Sequence, residues 1–192
     1  MAPDCLRAEP VLCKGGWHDL SSDPERARIA SDVIEGFMPT YLLAFLIGVV
    51  AGLRSLTPPA AVSLAARLGW LHLENTPLAF LGFAATPYIL SLLAIGELIN
   101  DKLPKTPSRK APAPFAFRVV VGALCGAALG APGGNLIGGL LAGALGGVAG
   151  TLGGYEFRSR LVKATGGKDL PIALLEDAIA IGAAFWIVCR AS

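Results

Sequence analysis

From Met38 onward, the chain is a series of apolar stretches separated by short charged or Pro- and Gly-rich breaks. A helix needs roughly 20 apolar residues to cross a bilayer, and fewer where the bilayer thins or the helix is broken. Several of the stretches approach that length. Only 16% of the residues are charged, against roughly 25% in ordinary globular domains. The pattern therefore predicts an all-α, polytopic membrane bundle.

Six short helices can be placed on these stretches. They cover Tyr41–Leu53, Pro58–Leu71, Leu78–Ile99 with a kink at Pro87, Phe115–Ala131, Leu136–Leu152 and Leu170–Val188. Thr57 is the expected N-cap of the second helix, because Pro58 follows it at a position where a missing N–H costs nothing. The prediction is about six short spans. An alternative count treats the second helix as interfacial and leaves five.

The N-terminal tail, residues 1–37, has a different composition from the transmembrane domain, residues 38–192. It holds half of the 14 acidic residues and lacks the apolar core of a signal peptide. Either it forms a short polar helix, or translation begins at Met38, since Glu35-Gly36 must be encoded by a purine run like a ribosome-binding site. Cys5, Cys13 and His18 match no zinc spacing, and no metal or cofactor is expected.

Glycines recur every four residues in the fourth and fifth helices. That spacing makes a flat stripe on which another helix can pack with the backbones nearly touching. We expect a Gly-rich central hairpin, a glycine zipper, built by Gly122, Gly126, Gly130, Gly139, Gly143, Gly147, Gly150 and Gly154. Packing within one subunit is the simpler interpretation. A dimerisation or channel-lining face, and with it a homo-oligomer, is the alternative.

The basic residues predict an orientation. Nine of the 12 that follow Met38 lie between Lys102 and Arg118 or between Arg158 and Lys168. The positive-inside rule makes loops 102–118 and 156–168 cytoplasmic and puts both termini outside, whereas five spans would put the N-terminus inside. The segment Lys102–Lys110 is expected to attract anionic lipid headgroups. Three spans, a cytoplasmic loop and three spans of opposite orientation suggest an inverted repeat, a common transporter plan.

Ionisable side chains at membrane depth are costly and usually have a role. Glu97 and Asp101 share one helix face because they are four residues apart. The predicted polar intramembrane site comprises Arg54, Ser55, Thr57, Glu97, Asp101, Lys102, Glu176 and Asp177. One interpretation is a site for an ion, proton or anionic group, with Arg54 and the helix N-terminus at Thr57 on the anion side. The other is a set of ion pairs that fixes the bundle.

Signals of enzymatic function are nearly absent. His18 and His72 are the only histidines, and neither belongs to a recognisable catalytic arrangement, so no catalytic residue is assigned. A net charge of +2 gives no indication of a nucleic-acid partner. The preferred function is transporter-like or channel-like, for a small solute or ion. The alternatives are a membrane scaffold that packs through its glycine stripes and an enzyme acting on a lipid headgroup at the cytoplasmic face.

Three motifs resemble a known family. They are Gly52-Leu53-Arg54-Ser55-Leu56-Thr57-Pro58, Gly96-Glu97 followed by the segment from Asp101-Lys102-Leu103-Pro104 to Arg109, and Leu174-Leu175-Glu176-Asp177. The chain is similar over about Met38 to Arg190 to the small bacterial membrane proteins grouped as domain of unknown function 4126 (DUF4126). The resemblance implies an integral protein of a bacterial inner membrane. The family has no established activity, so the resemblance assigns no residue a catalytic role. Because the likeness omits the tail, it favours the late start at Met38.

Overall fold

The structure, a computed structural model, describes residues 40–100, 112–164 and 169–191. In these segments the chain forms helices and no strand. The helices are α1 (Thr40–Leu53), α2 (Thr57–Arg67), α3 (Thr86–Asn100), α4 (Pro112–Gly130), α5 (Leu136–Ala164) and α6 (Asp169–Ala191), with a one-turn 3-10 helix at Ala79–Gly82. The predicted all-α class is confirmed. The expectations for the tail, residues 1–37, and for the segment Lys102–Lys110 lie outside the described residues.

The helices have the length and the surface of a membrane bundle. Within the described segments, α4, α5 and α6 are each long and apolar enough to cross a membrane, and α1 and α3 are shorter apolar helices. Large apolar side chains cover the outer faces, including Tyr88 and Leu92 on α3, which are 78% and 71% exposed. So much exposed apolar surface is unfavourable in water and suits contact with lipid chains. The protein is a helical membrane protein.

α4 and α5 form an antiparallel hairpin around a tight turn. Gly134 has a φ of 73°, a left-handed conformation that glycine adopts without steric cost. The amide of Asn135 then donates to the carbonyl of Gly130 at 2.9 Å, which satisfies one carbonyl at the end of α4. The chain can therefore reverse within a few residues and lay α5 directly against α4.

Glycines bring the backbones of α4 and α5 into contact. A Cβ added to Gly122 would lie 2.8 Å from the carbonyl oxygen of Gly143, and one added to Gly130 would lie 2.5 Å from that of Asn135. Gly126 likewise faces Gly139 and Gly143. Distances below 3.0 Å leave no space for a methyl group, so this contact requires glycine.

α1 packs against another face of α5 and runs parallel to it. Gly48 lies against Gly143, and Gly52 lies against Gly147, Gly150 and Thr151. Residue numbers rise together along the two helices, so α1 and α5 point in the same direction. α1, α4 and α5 thus meet around Gly143, which lies against Gly48 of α1 and Gly126 of α4.

α2 and α3 form a second antiparallel pair. Glu97, near the end of α3, reaches the residues that precede α2, whereas Gly82, shortly before α3, lies beside Ala66 near the end of α2. α2 is also packed against α4 and α6. Its Val62, which has no exposed surface, belongs to one continuous apolar core with side chains of α1, α4 and α6.

The start of α3 differs from the prediction. Residues 78–85 form a 3-10 turn and bends rather than the first turns of a helix kinked at Pro87. α3 instead begins at Thr86, whose hydroxyl donates to the carbonyl of Phe80 at 2.8 Å. Pro87 lies in the first turn, where its missing N–H breaks no helical hydrogen bond. The predicted kink is therefore wrong, and Pro87 marks a helix start.

The predicted bounds of three other helices were also wrong. α4 begins at Pro112 and α5 continues to Ala164, so residues 112–118 and 156–164 of the two predicted loops are helical. The exposed Glu156 and Arg160 pair at 2.9 Å one turn apart, which supports the polar end of α5. α2 ends at Arg67 instead of Leu71, shortly before Gly69 adopts a φ of 77°.

We expect Gly126→Ala to lower the unfolding temperature of the detergent-solubilised protein. Its Cβ would lie 2.8 Å from the Cα of Gly143, and overpacking of this kind costs about 1–3 kcal/mol. Gly182→Ala is the matched control, because nothing lies within 4 Å of a Cβ at Gly182. An equal unfolding temperature for both variants would contradict the close α4–α5 contact.

Candidate functional site

The connection between α1 and α2 is a break inside the apolar bundle. The amide of Arg54 still donates to the carbonyl of Val50 at 2.8 Å, which completes the last turn of α1. Pro58 and Pro59 then follow in the first turn of α2. Each proline lacks the N–H that a continuing helix would use, and the ring of Pro58 would clash with the carbonyl of Arg54 four residues earlier. The sequence thus enforces a break, and the amides of Ser55 and Leu56 need other acceptors.

The carboxylate of Glu97 is the acceptor for both amides. Its Oε1 accepts from the N–H of Ser55 at 2.8 Å and from the hydroxyl of Ser55 at 2.5 Å. Its Oε2 accepts from the N–H of Leu56 at 2.7 Å. A carboxylate at the N-terminus of a helix also interacts favourably with the helix dipole, and hydrogen bonds to an ionised acceptor are stronger than those between neutral groups.

The next charged contact is a buried ion pair. Arg54, the last residue before the break, pairs with Asp177 of α6. Arg54 is fully buried and Asp177 is 6% exposed. Each charge loses its hydration, and either one left alone would be strongly unfavourable. The pair therefore ties the end of α1 to α6.

A second ion pair lies between α5 and α6. The guanidinium of Arg158 approaches the carboxylate of Glu176 at 3.3 Å, and both side chains are mostly buried. The two consecutive acids of α6 thus bind arginines of different helices. Glu176 binds Arg158 of α5, and Asp177 binds Arg54 at the end of α1. An apolar groove runs beside this pair, lined in part by Leu53, Phe157 and Ile179.

The structure brings together several of the residues predicted from sequence. Arg54, Ser55, Glu97 and Asp177 are connected at the break through the contacts above, and Glu176 lies beside them on α6. Asp101 and Lys102 lie outside the described residues. The predicted N-cap was wrong, because Leu56 occupies the N-cap position and its side chain makes no capping hydrogen bond.

Thr57 has an unusual environment. It is the first residue of α2 and is 6% exposed, and its hydroxyl oxygen has no hydrogen-bond partner among the described residues. A buried hydroxyl without a partner costs about 1–3 kcal/mol. Next to the groups that bind Glu97, the start of α2 therefore has one further buried hydrogen-bonding group, the hydroxyl of Thr57, that Glu97 does not bind.

Sequence reasoning missed two arginines at the same level of the bundle. Arg158 was assigned to a loop, and only the extension of α5 places it opposite Glu176. Arg118 was counted with a basic loop but is 6% exposed within α4. Its position was readable, because Arg118 precedes Gly122 by four residues and so continues the stripe that faces α5.

The charged side chains near the break are held by specific partners. Arg54 pairs with Asp177 and Arg158 with Glu176, and Glu97 is held by backbone amides. The backbone of Arg118 reaches the same level, because Gly147 lies against both Arg118 and Gly52. Such partners suit an apolar surrounding, where an unpaired charge is costly. No group of His, Cys, Asp and Glu in the described segments could hold a metal ion.

We expect Arg54→Met to destabilise the protein by about 3–5 kcal/mol, because it leaves Asp177 buried without its cation. The double variant Arg54→Met, Asp177→Leu should recover much of the loss, since it removes both charges. Arg160→Met is the control, because Arg160 and Glu156 form an exposed pair of little energetic weight. Unfolding in detergent measures all three. A double variant as unstable as the single one would contradict the pairing.

Comparison with known proteins places the chain in a family without a described activity. The model of a family described as a domain of unknown function, DUF4126, matches residues 41–189, which reach from α1 almost to the end of α6. This match confirms the resemblance seen in the sequence motifs. No curated protein and no solved structure matches the chain.

Proposed function

We propose that this chain, which belongs to the DUF4126 family, transports a small solute or ion across the membrane and binds it at the break between α1 and α2. The observation that carries the proposal is the pair of amides at this break, held by the carboxylate of Glu97. A continuous helix would satisfy its own backbone without help from another helix. Broken helices whose ends hold charged groups are a recurring feature of transporter binding sites.

The depth of the break supports this proposal. From Thr40 to Arg54, α1 rises about 21 Å at 1.5 Å per residue, which is less than the roughly 30 Å of a hydrocarbon layer. Exposed Phe157 on α5 and Leu174 on α6 extend the apolar surface beyond the level of Arg54. The break then lies within the apolar layer, close to one of its faces.

The parallel arrangement of α1 and α5 supports six crossings over five. α4 crosses once between them, and the antiparallel pair α2–α3 adds an even number of crossings. The number of crossings between the end of α1 and the start of α5 is therefore odd. With an odd number, α1 and α5 point in the same direction, as their glycine contacts require. With α2 interfacial and α3 crossing alone, the two helices would point in opposite directions.

The proposed orientation follows from the same geometry. α1 ends and α4 begins at one face, and α5 ends and α6 begins at the same face. Two groups of four basic residues lie at or next to these helix ends, Lys102–Lys110 and Arg158–Lys168, so the positive-inside rule makes the face cytoplasmic. Lys102–Lys110 would then meet anionic headgroups. The family resemblance implies a bacterial inner membrane, and the inverted repeat stays a prediction.

Cysteine accessibility in intact cells tests this topology. In a background without the four native cysteines, Thr40→Cys and Asn135→Cys should react with a membrane-impermeant maleimide from outside, and Ser108→Cys only after permeabilisation. Labelling of Asn75→Cys from outside would show that α2 and α3 cross completely. Five spans would instead place Thr40→Cys and Asn135→Cys on opposite sides.

Glu97→Gln should reduce transport at least tenfold, because the amide replaces one of the two accepting oxygens with an NH2 group, which cannot accept from a backbone N–H. The measurement is a growth or uptake phenotype of a deletion strain, complemented by each variant at equal membrane expression. Glu156→Gln, on the exposed end of α5, is the control and should complement fully. Full complementation by Glu97→Gln and by Arg54→Ala would contradict a transport site at the break.

A scaffold that binds partners through its glycine stripes has less support. Gly122, Gly126 and Gly130 face α5 within the same chain, and Gly146 and Gly150 face α1. These surfaces are already covered, so a homo-oligomer would have to use other faces. No specific observation favours an enzyme that acts on a lipid headgroup.

A further inference from the structure

We infer that the break between α1 and α2 is a binding site for a small carboxylate, and that Glu97 is a resident ligand which such a solute displaces. The inference deepens the proposed function and rests on it only for the claim that the bound anion is carried across the membrane. The site itself is formed by Ser55, Leu56, Thr57 and Glu97.

The donors at the break match a carboxylate in number and in spacing. The amides of Ser55 and Leu56 are consecutive and engage separate oxygens of Glu97, at 2.8 and 2.7 Å. A planar group with two equivalent oxygens satisfies both amides at once, whereas a single spherical ion lacks this two-point fit. The hydroxyl of Ser55 adds a third bond at 2.5 Å and shields the bound oxygen from the apolar core.

Thr57 is an independent sign that the site accepts more than Glu97. Its side chain is more than nine-tenths buried, and its hydroxyl has no partner in the described part of the chain. It follows Leu56 directly and opens the helix whose N-terminus favours anions. Glu97 is tethered to α3, whereas a free carboxylate can adjust its position and use this hydroxyl as well.

Glu97 and the solute carboxylate compete for the break, and the charges around it determine how. The neighbouring cation, Arg54, is already paired with Asp177 and adds no free charge for a second anion. Glu97 and a solute carboxylate require the same two N–H groups, so only one of them occupies the break at a time. Binding of the solute therefore releases α3 from the start of α2 and couples occupancy to the packing of this helix pair.

Glu97→Ala tests the site directly with formate as the probe. The variant leaves the donors of Ser55 and Leu56 without their acceptor, so the unfolding temperature in detergent should fall. Formate at tens of millimolar should restore at least half of the loss, since a ligand that binds only the folded state stabilises it. Chloride at the same ionic strength should not, and equal rescue by chloride would overturn the carboxylate assignment.

Two further variants complete the experiment. Glu176→Ala removes a carboxylate that pairs with a side chain, Arg158, at 3.3 Å, so formate should not rescue it, and equal rescue would overturn the inference. Glu97→Asp keeps the charge but shortens its reach, and it covers the case in which Glu97→Ala does not fold. Formate titrated by NMR should bind this variant at least several-fold more tightly than the wild type, and equal or absent binding in both would overturn the inference.

The outcomes separate this inference from the proposed function. Rescue by formate together with normal complementation by Glu97→Gln would leave a carboxylate site without transport. Loss of transport in Glu97→Gln without any formate effect would leave a transport site for another class of solute. The carboxylate inference would then be wrong by itself.

Discussion

The structure depends on one requirement: every backbone N–H group inside the membrane needs a hydrogen-bond acceptor. In hydrocarbon no water can replace a missing hydrogen bond, so a broken helix requires an acceptor from elsewhere in the protein. Pro58 and Pro59 impose the break, and Glu97 supplies the acceptor from a helix more than 40 residues later in the chain. One side chain therefore connects the break between α1 and α2 to the placement of α3, and the adjacent pair of Arg54 with Asp177 ties the same break to α6.

The second constraint is how closely the helices approach. Lipid chains are as apolar as leucine, so apolar burial alone gives helices little reason to associate in a membrane. Glycine permits contacts between backbones instead, and α5 uses it on two faces, toward α4 and toward α1.

The sequence was sufficient for the helical membrane fold, the Gly-rich hairpin and the break near Arg54. These features depend on local patterns: apolar length, glycine spacing and the proline pair. It was insufficient for the partners of the charged residues, because the choice of Asp177 over Glu176 for Arg54 depends on how α6 is rotated against its neighbours. The prediction of Thr57 as an N-cap was wrong. The polar end of α5 was predicted to be a loop, because its charged residues interrupt the apolar pattern although the helix continues.

The contact of α1 with α5 has a mechanical consequence. Along this face, Gly48 and Gly52 meet the backbone of α5, and smooth surfaces of this kind resist sliding less than interdigitated side chains do. At its end, α1 is also held by the ties of Arg54 to α6 and of Ser55 to α3. The glycine contact with α5 alone would fix the axial position of α1 only loosely, and these two ties at its end hold the helix in register with the bundle.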